Sequence, residues 1–450
     1  MCSIGFALGI LGGLPVSAQS VDSSQVGRFQ LAESFMRTAQ YQRAISLLEG
    51  LYNDSPQTNV FYDRLREAYE SVKRYDAAIA LVNQKISQEL SPTIYVADKA
   101  RLQFLKGDEA TARQTWQAAI DSNPSSSSVY LLVYRSLMQV RLFDFSIEIL
   151  EAGRETLGNT ALFQIDLAQL YNLTSQHDKA AIEYLDLLKI NQNQLNYVRS
   201  QMGPFLTTPE SLEKSIAVVG AGVAQNPLNR AFREFLGWLY VENKQYRLAL
   251  DVYRAVDRLE REEGKILFTF AQIASDGGAY DVALEAYDEI LRRYPLGLSA
   301  PDALRGLGLM QEKWAETLGE NVFDLAGNRL PRNHYDEALD TYQLFLIDYP
   351  QHPMFPDVLR RIGLLHQDVF YDYTSAYTVL TEVIGRYPQT IVADQAAYDL
   401  GRLAVMENRM EDARLEFSRL LTRLRTGELA DLSRYDLALY HFYKGDFEAA

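Results

Sequence analysis

Apolar and small residues recur along this chain at a spacing close to 34 residues. In the first interval, Leu31, Ala32 and Phe35 form one apolar stripe at helical spacing. A second stripe uses Tyr41, Ala44, Ile45, Leu48 and Leu51. Pro56 follows the second stripe and ends that helix, because proline cannot continue it. Each interval therefore predicts a pair of antiparallel helices, A followed by B.

The second helix of each interval starts at an aromatic residue or a substitute for one. These starts are Tyr41, Tyr75, Glu109, Phe143, His177, Leu212, Tyr246, Tyr280, Tyr335, Tyr373, Met410 and Phe447. A small residue lies three places after each start, at Ala44, Ala78, Ala112, Ser146, Ala180, Ser215, Ala249, Ala283, Ala338, Ala376, Ala413 and Ala450. A small side chain lets two helix backbones approach closely, and a larger one would push them apart. A fixed period of this length predicts a solenoid of stacked helix pairs.

The period is interrupted in two places. Gly203-Pro204 falls in helix A of the sixth interval and should break or kink it, so we consider it a candidate for a bend between two blocks. After Tyr280 the spacings lengthen to 55, 38, 37 and 37 residues. The 55-residue interval contains an insertion near 319–331, which is either a binding element or a tolerated surface excursion.

Three linkers of the longer-period part share one design. In each, Tyr-Pro ends one helix and an acidic residue begins the next, which gives Tyr294-Pro295 with Asp302, Tyr349-Pro350 with Asp357, and Tyr387-Pro388 with Asp394. The helix dipole favours negative charge at such an N-terminus.

From the N-terminal segment and the change of period we predict three segments: a secretory segment at 1–18, near-regular repeats at 19–296, and longer repeats with an incomplete last unit at 297–450.

Composition and charge restrict the class of partner. An apolar content of 47% is ample for a continuous core, and 44 basic against 59 acidic residues give a formal net charge of -15. A surface this acidic repels a phosphate backbone, so we expect no nucleic-acid partner. The only cysteine is Cys2, which excludes disulfides and thiolate metal sites in a chain that has lost residues 1–18.

The N-terminal segment resembles a secretory signal. Ile4 to Val16 is an apolar run of 13 residues without charge, too short to span a bilayer, and Ser17-Ala18 follows it. We interpret residues 1–18 as the later part of a signal cleaved before Gln19; the alternative is an ordinary apolar N-terminus. A basic n-region is missing, which leaves open whether the true start lies upstream of Met1. The signal predicts a periplasmic or outer-membrane-associated protein.

No catalytic constellation emerges from the sequence, and we predict a non-enzymatic protein without cofactor or metal. The histidines His177, His334, His352, His366 and His441 are scattered. His366 with Asp368 and Asp372 offers candidate ligands, which we interpret instead as an ordinary polar helix end. Phosphate-binding and hydrolase motifs are missing.

The repeat resembles the tetratricopeptide repeat family, whose 34-residue helix–turn–helix unit has a W-x2-L-G-x2-Y…A-x3-F…P pattern. The seventh unit matches best, with Leu236-Gly237, Tyr240, Ala249 and Tyr253. The resemblance implies an all-α fold, namely a right-handed α-solenoid of stacked antiparallel helix pairs, whose A helices line a concave groove for a protein or peptide partner. The ligand-facing positions that it implies are Phe29, Glu33, Met36, Asp63, Glu67, Glu70, Arg101, Phe104, Arg135, Met138, Gln169, Asn172, Trp238, Phe268 and Gln272.

The longer-period repeats, roughly residues 290–425, resemble those of bacterial outer-membrane assembly lipoproteins and of the Tol-Pal-associated periplasmic coordinator. The resemblance implies a non-enzymatic interaction scaffold in the periplasm or at the outer membrane, within an envelope complex. The alternative is a regulatory or scaffold arm of a larger export or enzyme protein whose functional domain lies beyond residue 450. The last unit starts at Phe447 and stops at Ala450, so we expect the sequence to be a fragment of a longer protein.

Overall fold

The computed structural model describes residues 23–445, and this part of the chain forms 23 α-helices. It contains no β-sheet within those residues, only one isolated antiparallel bridge between Phe323 and Arg329. The predicted all-α solenoid class is therefore confirmed. The secretory segment 1–18 and the final repeat start at Phe447 with Ala450 lie outside the described residues.

The chain forms two compact units, whose boundary falls between Asp186 and Leu187, inside one helix. The helices of the first unit are α1 Ser23–Arg37, α2 Tyr41–Asp54, α3 Asn59–Ser71, α4 Tyr75–Gln88, α5 Thr93–Lys106, α6 Glu109–Asp121, α7 Ser127–Gln139, α8 Phe143–Leu157, α9 Gln164–Leu173 and most of α10 His177–Ile190. Its core includes Leu48, Leu51 and Leu65, each no more than 2% exposed.

The second unit holds the remaining helices. These are α11 Leu195–Met202, α12 Pro209–Gln225, α13 Arg230–Glu242, α14 Tyr246–Glu260, α15 Lys265–Asp276, α16 Tyr280–Arg293, α17 Ala300–Leu318, α18 His334–Asp348, α19 Phe355–Asp368, α20 Tyr373–Arg386, α21 Ile391–Met406, α22 Met410–Arg423 and α23 Glu428–Lys444. The predicted block boundary at 296 lies inside this unit, in the turn between α16 and α17.

The B helices begin where the repeat predicts. Tyr41, Tyr75, Glu109, Phe143, His177, Tyr246, Tyr280, Tyr373 and Met410 are each the first residue of a helix, whereas Tyr335 and Leu212 lie one and three residues inside theirs. The small residues three places on are fully buried: Ala44, Ala78, Ala112, Ser146, Ala180, Ser215, Ala249, Ala283, Ala338 and Ala376 are 0% exposed, and Ala413 is 2% exposed. Burial of every described member of this column agrees with close helix packing at these positions.

Glycines of the A helices form a second point of close approach, and one of them, Gly237, is the glycine of the family pattern quoted above. A Cβ added at Gly237 would lie 3.1 Å from the ring of Tyr253, and one at Gly363 would lie 2.9 Å from Cγ of Leu380. Gly401 faces Phe417 in the same way. In each case the side chain of the following B helix occupies the space that a larger residue would need, so these positions require glycine for packing.

The turns from A to B helices share one backbone geometry. The residue two places before the B helix adopts a left-handed conformation at Ala39, Lys73, Gly107, Arg141, Ser175, Lys244, Gly278, Tyr371 and Asn408. At eight of these turns the next backbone N–H donates to a carbonyl five residues back, for example from Arg74 to Tyr69 at 2.8 Å and from Gln245 to Tyr240 at 2.8 Å. This is the hydrogen bond by which a left-handed residue closes a helix C-terminus. After Tyr371 the N–H of Asp372 instead donates to the carbonyl of His366, six residues back, at 2.9 Å.

The interruption at Gly203-Pro204 ends a helix, as predicted. Helix α11 stops at Met202, and a 3-10 turn over Gly203–Phe205 follows it. Thr208 then caps α12, because its side chain accepts a hydrogen bond from the backbone of Ser211 at 3.2 Å. The predicted acidic helix starts are also present, with Asp302, Asp357 and Asp394 in the first turns of α17, α19 and α21.

Candidate partner-binding cleft

The groove residues predicted from the sequence all lie on A helices, but their exposure differs. Asp63, Glu67, Arg135 and Gln272 are exposed. Phe29, Glu33, Met36, Glu70, Phe104, Met138, Gln169, Trp238 and Phe268 are half-buried, and Arg101 and Asn172 are buried. Asn172 is 3% exposed and its amide donates to the hydroxyl of Tyr184 at 3.4 Å, so this side chain belongs to the interior.

The predicted aromatic positions pack against other rings. The ring centroid of Phe29 lies 5.3 Å from that of Phe61, and Phe104 lies 6.2 Å from Trp116. In the second unit, Trp238 stacks on Phe235 at 5.9 Å. Phe268 lies 6.2 Å from Tyr287. These aromatic side chains therefore contribute to packing between helices, and none of them stands alone as an exposed anchor.

One cleft in the first unit brings three of the predicted residues together. It lies along helices α3, α5 and α7, has a volume of about 250 Å³, and contains Asp63, Arg101 and Arg135. Its other lining residues are Tyr62, Arg66, Ile94, Tyr95, Ala97, Asp98, Leu132, Ser136 and Gln139. The cleft thus combines charged groups with aliphatic and aromatic surface, which is the usual character of a recognition site.

A cluster of two arginines and two carboxylates fixes one side of the cleft. Arg101 is 6% exposed and donates two hydrogen bonds of 2.7 Å to the carboxylate of Glu70. Its guanidinium also lies 2.7 Å from Asp98, and Arg66 contacts Glu70 at 2.6 Å and Asp98 at 3.1 Å. Burial alone would lower the pKa of Arg101, but the hydrogen bonds and charges of both carboxylates raise it above its ordinary value. Arg101 therefore stays charged and the cluster is electrically balanced.

Tyr62 carries an unused hydroxyl in the cleft. Its side chain is 2% exposed, and its ring meets that of Tyr95 edge-on at 5.5 Å. Among residues 23–445 this hydroxyl has no hydrogen-bond partner. Burial, followed by the charge of Asp98, raises the pKa of Tyr62, so the group is a donor at neutral pH. A buried polar group without a protein partner is rare, and such a group is satisfied by ordered water, an ion or a ligand.

Ser136 is held in a structural role and has no base beside it. Its hydroxyl donates to the carbonyl of Ala97 at 2.7 Å and accepts from the indole N–H of Trp116 at 2.9 Å. No histidine lines the cleft. The geometry therefore suits binding and offers no nucleophile with an adjacent base.

The side chains considered as metal ligands around His366 do not form a metal site. Nδ1 of His366 lies 3.9 Å from Asp372, and burial lowers the pKa of this histidine despite that carboxylate. Across residues 23–445, no group of three or more His, Cys, Asp or Glu side chains is placed to hold a metal ion. None of the helices described is long and apolar enough to cross a membrane.

The insertion in the second unit is folded by its own side chains. Asp324 accepts hydrogen bonds of 2.8 Å from the backbone of Ala326 and Asn328. Arg329 lies 5.6 Å from the ring of Phe323 and 5.5 Å from that of Phe370, so it ties the loop to the turn after α19. A second, mainly polar cleft of about 340 Å³ lies here, lined by Glu320, Asn321, Val322, Phe323, Asp324, Tyr335, Asp368, Val369 and Tyr371.

A sequence model of the tetratricopeptide repeat family matches residues 268–313. This segment runs from α15 through α16 into α17, so it contains one complete B helix with parts of the flanking A helices. The match places a tetratricopeptide repeat in this segment of the chain. No curated protein sequence matches the chain.

Three solved structures illustrate what this chain is similar to. The crystal structure of yeast Tom70 is 12% identical, with 95% of this chain and 97% of that chain covered and a TM-score of 0.33. The P58(IPK) TPR domain is 13% identical, with 94% and 99% covered and a TM-score of 0.23. BtubC from P. vanneervenii is 17% identical, with 53% and 86% covered and a TM-score of 0.33.

Proposed function

We propose that this protein is a non-enzymatic scaffold that binds a segment of a partner protein in the cleft between α3, α5 and α7. The observation that carries the proposal is the hydroxyl of Tyr62, which is buried in the lining of this cleft and has no partner among residues 23–445. A peptide backbone offers carbonyl oxygens that such a donor can satisfy. The tetratricopeptide repeat at residues 268–313 supports the same class of function.

The cleft is prepared for binding because its charged cluster is already fixed. The paired arrangement of Arg101 with Glu70 and Asp98 is complete before any ligand arrives, so little side-chain entropy remains to be lost there. Ile94, which is 53% exposed, and the half-buried Leu132 offer aliphatic surface beside these charges. An apolar centre with polar groups around it is the common arrangement of protein interfaces.

Site-specific photocrosslinking tests this proposal. A photoreactive amino acid is placed at Ile94, inside the cleft, in cells that produce the protein natively. The matched control carries it at Leu90, which is fully exposed just before α5 and does not line the cleft. We expect a discrete crosslinked protein from position 94 and none from position 90. Equal products from both positions, or no product from Ile94, would contradict the proposal.

We further propose that the scaffold works in the bacterial envelope, in the periplasm or at the outer membrane. The support comes from the apolar run of Ile4 to Val16 with Ser17-Ala18 after it, and from the Tyr-Pro linkers that resemble envelope proteins. Mass spectrometry of the purified native protein tests this location. An N-terminus at Gln19 is the expected result, and an uncleaved segment 1–18 would count against export.

A further inference from the structure

Two charged side chains in the lining of the cleft take no part in the ion pairs described above. Arg66 and Arg101 are balanced by Asp98 and Glu70, as described above. Of the charged residues in the lining, this leaves Asp63 and Arg135. Both side chains are exposed, and neither forms an ion pair with another of the described residues 23–445.

The carboxylate of Asp166 lies near Arg135 but does not line the cleft. Burial raises the pKa of Asp166 on the next A helix, and the charge of Arg135 acts against that rise. The two side chains nevertheless form no ion pair within the described part of the chain. A carboxylate supplied by a ligand therefore has the guanidinium of Arg135 open to it, and a guanidinium can hold a carboxylate through two parallel hydrogen bonds.

The two charges lie on opposite sides of the cleft. Asp63 belongs to α3 and Arg135 to α7. Helix α5 lies between them, because it exchanges ion pairs with α3 through Arg101 and packs directly on α7. Ile94 of α5 and Leu132 of α7 supply the aliphatic surface within this space. The cleft therefore presents an acidic side, an apolar middle and a basic side.

We propose that the cleft binds a bipolar peptide segment, in which a cationic side chain faces Asp63, an aliphatic side chain covers Ile94 and Leu132, and a carboxylate faces Arg135. This inference rests on the proposed scaffold function and adds the chemistry of the partner. The unused donor of Tyr62 is satisfied by a backbone carbonyl of the same segment. A nucleic acid does not fit, because Asp63 and Asp98 face the cleft and the chain carries a net charge of -15.

A peptide display experiment tests the proposal. A random library of linear peptides on phage is selected against the purified chain and, separately, against the Arg135→Glu and Asp63→Lys variants. The matched controls are Arg141→Glu and Asp144→Lys, which make the same charge changes at exposed positions outside the cleft. An Ile94→Asp variant reports whether the selected peptides use the cleft.

The proposal predicts a distinct result for each reversal. Peptides selected on the native chain carry acidic and basic residues on either side of an aliphatic residue. The Arg135→Glu variant loses the preference for acidic residues and keeps that for basic ones, whereas Asp63→Lys does the opposite. A peptide selected on the native chain should lose about tenfold in affinity with either reversal, because a charge attraction becomes a repulsion. The two control variants should select the same peptides as the native chain.

The other outcomes separate this inference from the function on which it rests. If Ile94→Asp abolishes binding but the reversals leave the selected charges unchanged, the bipolar recognition is wrong and the cleft remains a binding site. If no peptide is enriched, or if enriched peptides still bind Ile94→Asp, both the cleft function and the bipolar recognition are overturned.

Discussion

A single methyl group added at Gly401 should destabilise the second unit, although alanine normally favours a helix. Gly401 lies in the middle of α21, and an added Cβ would come within 2.8 Å of Cδ1 and of Cζ in the ring of Phe417. Ordinary contacts of a Cβ lie at 3.4–4 Å. Phe417 is 1% exposed, so its ring can move only by displacing other core side chains.

Two opposing effects set the size of this change. Replacing glycine by alanine inside a helix contributes about 1 kcal/mol of stability, whereas overpacking a core costs about 1–3 kcal/mol. We expect Gly401→Ala to lower the free energy of unfolding by about 1 kcal/mol, near the middle of the resulting range. Gly220→Ala in α12 is the matched control, because no atom lies within 4 Å of its added Cβ. It should raise the free energy of unfolding by up to about 1 kcal/mol.

Urea unfolding followed by far-ultraviolet circular dichroism measures both variants, with the slope of each transition checked against that of the native chain. The variant Phe417→Leu, alone and combined with Gly401→Ala, completes a double-mutant cycle. We expect Gly401→Ala to cost less unfolding free energy in the Phe417→Leu background, where the ring is absent, so the two changes should be strongly coupled. If Gly401→Ala is as stable as Gly220→Ala, or if the cycle shows no coupling, close approach of these two helices does not explain the glycine.

Three further predictions concern charge and the insertion. Arg101→Met should lower the free energy of unfolding by about 3 kcal/mol in urea titrations, because it removes the guanidinium that pairs with Glu70 and Asp98. Arg101→Lys should recover only part of this loss, because an ammonium group cannot hold a carboxylate through two parallel hydrogen bonds. The hydroxyl of Tyr398 donates to Asp436 at 2.8 Å, and burial followed by this bond raises the pKa of Tyr398 to about 12. The bond therefore stabilises the fold fully below pH 10 and ceases to do so as pH rises towards about 12, so the urea midpoints of the native chain and Tyr398→Phe should converge over that range. Arg329→Met should speed hydrogen exchange in residues 319–333 without changing exchange in the first unit; unchanged exchange in the loop would show that the contacts with the two aromatic rings do not hold it.

The repeat made most of the fold predictable, because it depends on local spacing. The helix starts at Tyr41 and Tyr246 and the burial of Ala44 and Ala249 follow from side-chain size at fixed positions in each unit. The break at Gly203 follows from backbone chemistry alone. What spacing could not predict was the packing of glycines against rings of the next helix, since that depends on which side chain fills the gap.

The cleft was less predictable than the fold. Carrying family positions over placed Asp63, Arg101 and Arg135 in it, but left out Tyr62 and Asp98. The positions of Tyr62 and Asp98 in the cleft depend on contacts of side chains between neighbouring repeats. The periodicity within one repeat does not describe such contacts. The sequence nevertheless contains a pattern that indicates the charged cluster of the cleft.

That pattern is opposite charge at about one repeat of separation. Glu70 and Arg101 are 31 residues apart, and Arg66 and Asp98 are 32 apart, so each pair falls on neighbouring A helices. The B helices follow the same rule, since Arg254 contacts Glu285 at a separation of 31 residues. A search for such pairs would have found the charged cluster from sequence alone.

The shared geometry of the A-to-B turns means that substitutions there can change the stability of a repeat without changing the cleft that is proposed to bind a partner. Lys73, Arg141 and Lys244 adopt a left-handed backbone that costs a non-glycine residue about 1–2 kcal/mol, and none of them lines the cleft. The cost is met by hydrogen bonds of the backbone, so the identity of the side chain at these positions is free to change. Selection, or a protein engineer, can therefore adjust how robust each repeat is at its turn while the surface that meets the partner stays the same.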